Sequence, residues 1–132
     1  MKRVLFVCVH NSGRSQMAEA FLKRLGGRAI EAESAGTIPS ERVNPVVAEA
    51  MREKGIDLSQ NKPKPLTQEM VERADRVITM GCSIEEACPA VFVPSEDWGL
   101  EDPEGKPLAE VRRIRDQIEL KVRHLLAKLV LP

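Results

Sequence analysis

The sequence predicts an α/β fold: a three-layer sandwich whose four-stranded parallel sheet, in the order 2-1-3-4, lies between helices. Three observations carry this. Short apolar runs rich in β-branched residues alternate with stretches of helical periodicity, which is the pattern of a parallel sheet covered on both faces. The first run, Val4 to Val9, is almost wholly apolar, as a strand buried on both faces must be. From Leu108 to Val130, residues Val111, Ile114, Ile118, Val122, Leu125 and Leu129 recur at spacings of three or four, the signature of one long amphipathic helix.

Taken in order, Val4 to Val9 is the first strand. Ser15 is then expected to cap a helix carrying Met17, Ala18, Phe21, Leu22 and Leu25 on one face, ended by Gly26-Gly27. Ala29 to Ala35 is a second strand. Asn44-Pro45 supplies an N-cap and a first-turn proline for a helix through Met51 that stops near Gly55. Thr67 is expected to cap a short helix through Met70, Arg76 to Met80 is the third strand, and Val91 to Val93 the fourth. In the flavodoxin-like order 2-1-3-4, ligands bind beyond the carboxyl ends of the strands, where strands 1 and 3 meet. Cys8, Cys82 and the acidic stretch Glu96 to Asp102 all fall at that edge.

Composition excludes several functions. The chain has 132 residues, 20 Lys plus Arg against 20 Asp plus Glu, three phenylalanines, one tryptophan and no tyrosine. A single domain over residues 1–132 is expected. Zero formal charge gives no field for nucleic acid or an anionic bilayer, and so few aromatic residues make no base-stacking platform. No apolar run approaches the length of a membrane span. The six-residue run after Met1-Lys2-Arg3 is too short for a signal peptide, so a cytoplasmic protein is expected. Three cysteines in such a chain point to reactive thiols or a metal site rather than a disulfide scaffold.

The segment Cys8-Val9-His10-Asn11-Ser12-Gly13-Arg14-Ser15 places a cysteine and an arginine around a loop between a buried strand and a helix start. There, successive backbone N–H groups and the helix dipole suit a tetrahedral oxyanion. Arg14 can grip two oxygens of the anion, while Asn11, Ser12 and Ser15 can hold the loop or favour the Cys8 thiolate by hydrogen bonding. His10 is given no catalytic role. Cys82 and Cys88 can be read as ordinary buried thiols, and a zinc site from three cysteines and a histidine is a further alternative. It is disfavoured by the wide gap between Cys82 and Cys88 and by the place of His124 in the closing helix.

Cys8 to Ser15 followed by Gln16-Met17-Ala18-Glu19, with Ser34-Ala35-Gly36, Asn44-Pro45, Cys82, Cys88-Pro89, Trp98-Gly99 and Asp102-Pro103-Glu104-Gly105, resembles the thioredoxin-coupled arsenate reductases built on the low-molecular-weight phosphotyrosine phosphatase fold. The resemblance runs over nearly the whole chain. It implies that Cys8 is the nucleophile, Arg14 the oxyanion clamp, Asp102 the general acid, and Cys82 with Cys88 the redox pair. Among the neighbouring acids Glu96, Asp97, Glu101 and Glu104, Asp102 is chosen because Pro103 biases it to an extended loop conformation and because it matches the family's Asp-Pro motif. The chemistry agrees: reduction of As(V) to As(III) takes two electrons, which two thiols supply on becoming a disulfide.

The expected partners are arsenate, with phosphate or sulfate competing, and a dithiol reductant, thioredoxin. No bound cofactor and no metal are expected, since Lys62 or Lys64 stands where some members of the family bind potassium. A monomer is expected. Two alternatives have other activities: a tyrosine or acid phosphatase using Cys8, Arg14 and Asp102, and a phosphocarrier or thiol sensor. Ser83, Glu86 and Pro89 have the spacing of a short capped helix between the redox cysteines. Six residues of helix would hold the two Cα atoms about 9 Å apart, so that helix would have to unwind for a disulfide to form.

Overall fold

The computed structural model describes residues 2–80 and 95–130. In chain order it contains β1 (Lys2–Cys8), α1 (Arg14–Gly26), β2 (Ile30–Gly36), α2 (Pro45–Arg52), α3 (Gln68–Arg73), β3 (Arg76–Thr79), β4 (Ser95–Asp97) and α4 (Leu108–Val130). The sheet has the order β2-β1-β3-β4, and all three pairings are parallel. That is the expected architecture.

The apolar run of β1 is divided between two cores by strand alternation. Val4, Phe6 and Cys8 join Met17, Phe21, Leu22, Val47, Met51, Ile114 and Ile118 beneath α1, α2 and α4. Leu5 and Val7 join Val71 and Val77 on the opposite face, under α3. Both faces are therefore closed, which is why β1 tolerates no polar residue after Arg3. Asn44 accepts a hydrogen bond from the Val46 N–H with Pro45 at the first turn of α2, and Thr67 accepts one from the Met70 N–H at the start of α3, as the sequence predicts.

Two elements differ from expectation. Helix α1 begins at Arg14 with Gly13 at its N-cap and no side-chain cap, because the Ser15 hydroxyl is engaged elsewhere, as described below. The fourth described strand is Ser95–Asp97, so Glu96 and Asp97 lie within it rather than beyond it. Both are exposed, and charged side chains suit an edge strand that must not pair further. The predicted strand Val91 to Val93, the helix expected between Cys82 and Pro89, and both of those cysteines lie outside the described residues.

Candidate active site

Cys8 ends β1, and its Cα partner across the sheet is Gly36. A side chain at position 36 would meet the Val9 carbonyl oxygen at 2.6 Å and the Asn11 nitrogen at 2.9 Å, so only glycine lets the chain after Cys8 fold over the end of β2. The carbonyls of the loop are then taken up one after another. Thr37 N–H donates to Cys8, Ile38 to Val9, Ser40 to His10 and Asn44 to Ser12, at 2.8–3.2 Å. Met17 N–H donates to Gly13 at 2.9 Å. With its acceptors tied to the segment from Thr37 to Asn44, the loop keeps its donor side for a ligand, which is what an oxyanion requires.

The Cys8 sulfur is buried and lies 3.1 Å from the Asn11 N–H, which donates to it, and 2.8 Å from the Ser15 hydroxyl. The direction of the second bond follows from Asn11. The Lys64 backbone N–H can only donate, and it does so to Asn11 Oδ1 at 2.8 Å. Asn11 Nδ2 must therefore face Ser15, donating to its Oγ at 2.7 Å. This leaves the Ser15 proton for the sulfur, so two donors converge on Cys8. Asn11 has φ 51, the only positive φ among the described residues other than glycine, and asparagine is one of the few side chains that accept that region readily.

Arg14 is buried, and its Nη1 donates to the carbonyls of Met80, at the end of β3, and Leu100, the latter at 2.8 Å. One end of the guanidinium thus ties the Cys8 loop to the chain on both sides of residues 81–99. The edge formed by Nε and Nη2 remains for an anion. Nη2 lies 3.9 Å from Asp102 Oδ2, and Asp102 is steadied by the Glu104 N–H, which donates to its Oδ1 at 3.0 Å. Of the other acids weighed, Glu101 pairs with Arg113 and Lys106 and Asp97 accepts from the Thr79 hydroxyl. Asp102 is the acid that faces Arg14.

Cys8, Asn11, Arg14, Ser15 and Asp102 are therefore brought together, with Val9, His10, Ser12 and Gly13 forming the loop between them. The His10 ring bonds the Ile38 carbonyl at 3.0 Å, a loop-packing contact. Lys64 Nζ lies 4.0 Å from the buried Glu19 carboxylate, which also accepts from Ser34 and pairs with Lys23. Gln16, buried among these groups, received no role from the sequence; a glutamine beside Met17 in the buried first turn of α1 was its signal. Among the described residues, no group of three or more His, Cys, Asp or Glu is placed to hold a metal ion, and no helix is long and apolar enough to cross a membrane.

The family model described as low molecular weight phosphotyrosine protein phosphatase matches residues 3–130. The chain belongs to this family. Within it, a glutaredoxin arsenate reductase from Synechocystis is 41% identical over 98% of this chain and 99% of its own. The structure of an arsenate reductase in the phosphate binding state matches with a TM-score of 0.85 at 39% identity, covering 98% of this chain and 99% of that one. A thioredoxin-dependent arsenate reductase from Corynebacterium glutamicum matches with a TM-score of 0.84 at 38% identity; this chain is covered to 98% and spans 62% of that longer one.

Proposed function

We propose that the chain reduces arsenate to arsenite in the cytoplasm by a Cys8, Cys82 and Cys88 cascade recycled by a dithiol protein. The observation that carries the reading is the convergence on the Cys8 sulfur of two hydrogen-bond donors, beside an anchored guanidinium that faces a carboxylate. The names of the near full-length relatives support arsenate as the oxyanion.

In this scheme Arg14 and the loop N–H groups hold arsenate, and the Cys8 sulfur attacks arsenic while Asp102 protonates the departing oxygen, which leaves as water. The Cys82 thiolate then attacks the Cys8 sulfur. An S–S bond forms, the S–As bond breaks, and its electron pair stays on arsenic, giving As(III) as arsenite. Cys88 attacks Cys82, freeing Cys8 and leaving a Cys82–Cys88 disulfide for the external dithiol. Thioredoxin is the proposed reductant, and glutaredoxin is the comparison to run, since relatives named for each are similar to this chain. The Lys64 ammonium beside Glu19 takes the place of a bound cation, so turnover should not need potassium.

A phosphatase is the second reading, because Cys8, Arg14 and Asp102 suffice for phosphoryl transfer and the family model is named for it. One set of assays separates the readings: arsenite formed with thioredoxin and its reductase, and phosphate released from an aryl phosphate, for the parent and each Cys→Ser variant. Cys8→Ser should abolish both activities and Cys82→Ser only the first. Equal loss of both in folded Cys82→Ser refutes the division of roles, and aryl phosphate hydrolysis without arsenite formation selects the phosphatase. A folded protein with neither activity leaves the carrier or sensor.

A further inference from the structure

We propose that Gln16 and Asn61 are positioning residues for Cys8, an amide relay that carries the placement of the segment at residues 61–64 into the hydrogen bonds on the Cys8 sulfur. The inference rests on Cys8 being the nucleophile, but not on arsenate being its substrate.

Gln16 is 1% exposed. A glutamine buried so fully loses side-chain freedom and hydration that an apolar residue of similar size would not, so its position needs polar partners. It has three side-chain and backbone contacts that matter here. Asn61 Nδ2 donates to Gln16 Oε1 at 3.2 Å. Gln16 Nε2 donates to the Asn11 backbone carbonyl at 3.1 Å and to Asn11 Oδ1 at 3.2 Å. Asn11 Oδ1 also accepts from the Lys64 N–H, so two donors from different parts of the chain pin one carboxamide oxygen.

Everything downstream depends on that pinning. The Asn11 carboxamide, so oriented, donates to Ser15, and Ser15 reaches the sulfur; the Asn11 N–H, in its left-handed backbone position, reaches the same sulfur directly. Gln16 therefore holds both routes to Cys8, one through the Asn11 side chain and one through its backbone carbonyl. Asn61 is exposed and touches none of the reacting groups, yet it orients the Gln16 carboxamide by donating to its oxygen.

The test uses the full chain with Cys82→Ser and Cys88→Ser, so that Cys8 is the sole thiol, and measures its rate of alkylation by iodoacetamide at fixed pH together with thermal unfolding. Gln16→Glu keeps an acceptor for Asn61 but cannot donate to Asn11. It should slow alkylation about five- to tenfold in a protein that still unfolds cooperatively, the effect of loosening one hydrogen bond to the sulfur. Asn61→Ala, at an exposed position where folding is not at stake, should slow it about two- to threefold. Combined with Gln16→Glu, it should add nothing more, because both act on one chain of bonds. In the parent chain, Gln16→Glu should lower kcat with KM little changed. Alkylation at the unsubstituted rate in either single variant, or multiplicative effects in the double variant, overturns the relay whatever the substrate of the enzyme.

Discussion

A Cβ on Gly13 would lie 2.8 Å from Cγ of Pro103, closer than carbon atoms pack. The glycine is needed for the approach of the Asp102-Pro103 turn to the Cys8 loop. Gly13→Ala should therefore destabilise the protein by about 1–3 kcal/mol through overpacking and displace Asp102. Adding Pro103→Ala should recover most of the stability in denaturant titration; no recovery would mean that the clash is not the cause. Arg14 is similarly committed through Nη1 to the carbonyls of Met80 and Leu100, and in the proposed reading its other edge holds the anion. An ammonium cannot serve both, so Arg14→Lys should lower kcat by about 10²-fold or more. Turnover within a few fold of the parent would remove Arg14 from the site. At this scale the sequence was partly legible. Cys8 and Arg14 stand out by their spacing between a strand and a helix start, and Asp102 by Pro103 and the family's motif, whereas Ser15 reads both as a helix cap and as a hydrogen-bonding partner of Cys8. Its real partner is the Cys8 sulfur, because tertiary contacts outrank local propensity.

Elements were the most legible scale, for a physical reason. The limits of α4 follow from its apolar periodicity, and those of α2 from Asn44-Pro45, because helix period and caps are local properties of the chain. Edge strand β4 is not read at Ser95–Asp97 from the sequence, because three residues of mixed polarity, paired to β3, carry no periodicity of their own. What joins elements was also hidden. Glu53, just beyond α2, is bonded by Arg112 and Arg115 of α4, and Arg115 also donates to the Ala50 carbonyl at 2.9 Å. Those guanidiniums, Arg112 foremost, hold the Glu53 carboxyl down at about 2, from an ordinary 4.5. A carboxylate whose folded value is depressed contributes stability that is fully present above its unfolded value and lost as pH falls through the folded one. The α2 to α4 tie should therefore weaken from pH 4.5 down to about 2. Glu53→Gln should lower the urea midpoint at pH 7 and narrow its gap to the parent as pH drops through that window. A gap that stays constant with pH would show that the pair contributes nothing to stability.

For the molecule as a whole, the site exists only when distant parts of the chain meet. The loop after β1 is held by the segment that follows β2, Arg14 reaches the ends of β3 and of the stretch entering the Asp102 turn, and Pro103 closes on Gly13. The sheet order makes this possible, since β1 and β3 are neighbours and their carboxyl ends open at one place. An anion bound there by N–H groups and Arg14 would bridge α1, β1 and the Asp102 turn, and so should oppose global unfolding. At about 100 times its dissociation constant a ligand specific to the folded state contributes about 2.7 kcal/mol, which for a chain of this size raises Tm by roughly 10 °C. Phosphate, sulfate and arsenate should each do this in the Cys8→Ser protein, where no covalent adduct with sulfur forms, because N–H groups and a guanidinium would meet the oxygens of the anion and not its central atom. Arg14→Lys in the same background should lose most of the shift, and phosphate should raise the KM for arsenate without lowering kcat. Scanning calorimetry against chloride at matched ionic strength measures the shift. A Tm no higher in arsenate than in chloride, in protein whose far-ultraviolet spectrum is that of the parent, would mean that the Cys8 loop is not where the oxyanion binds.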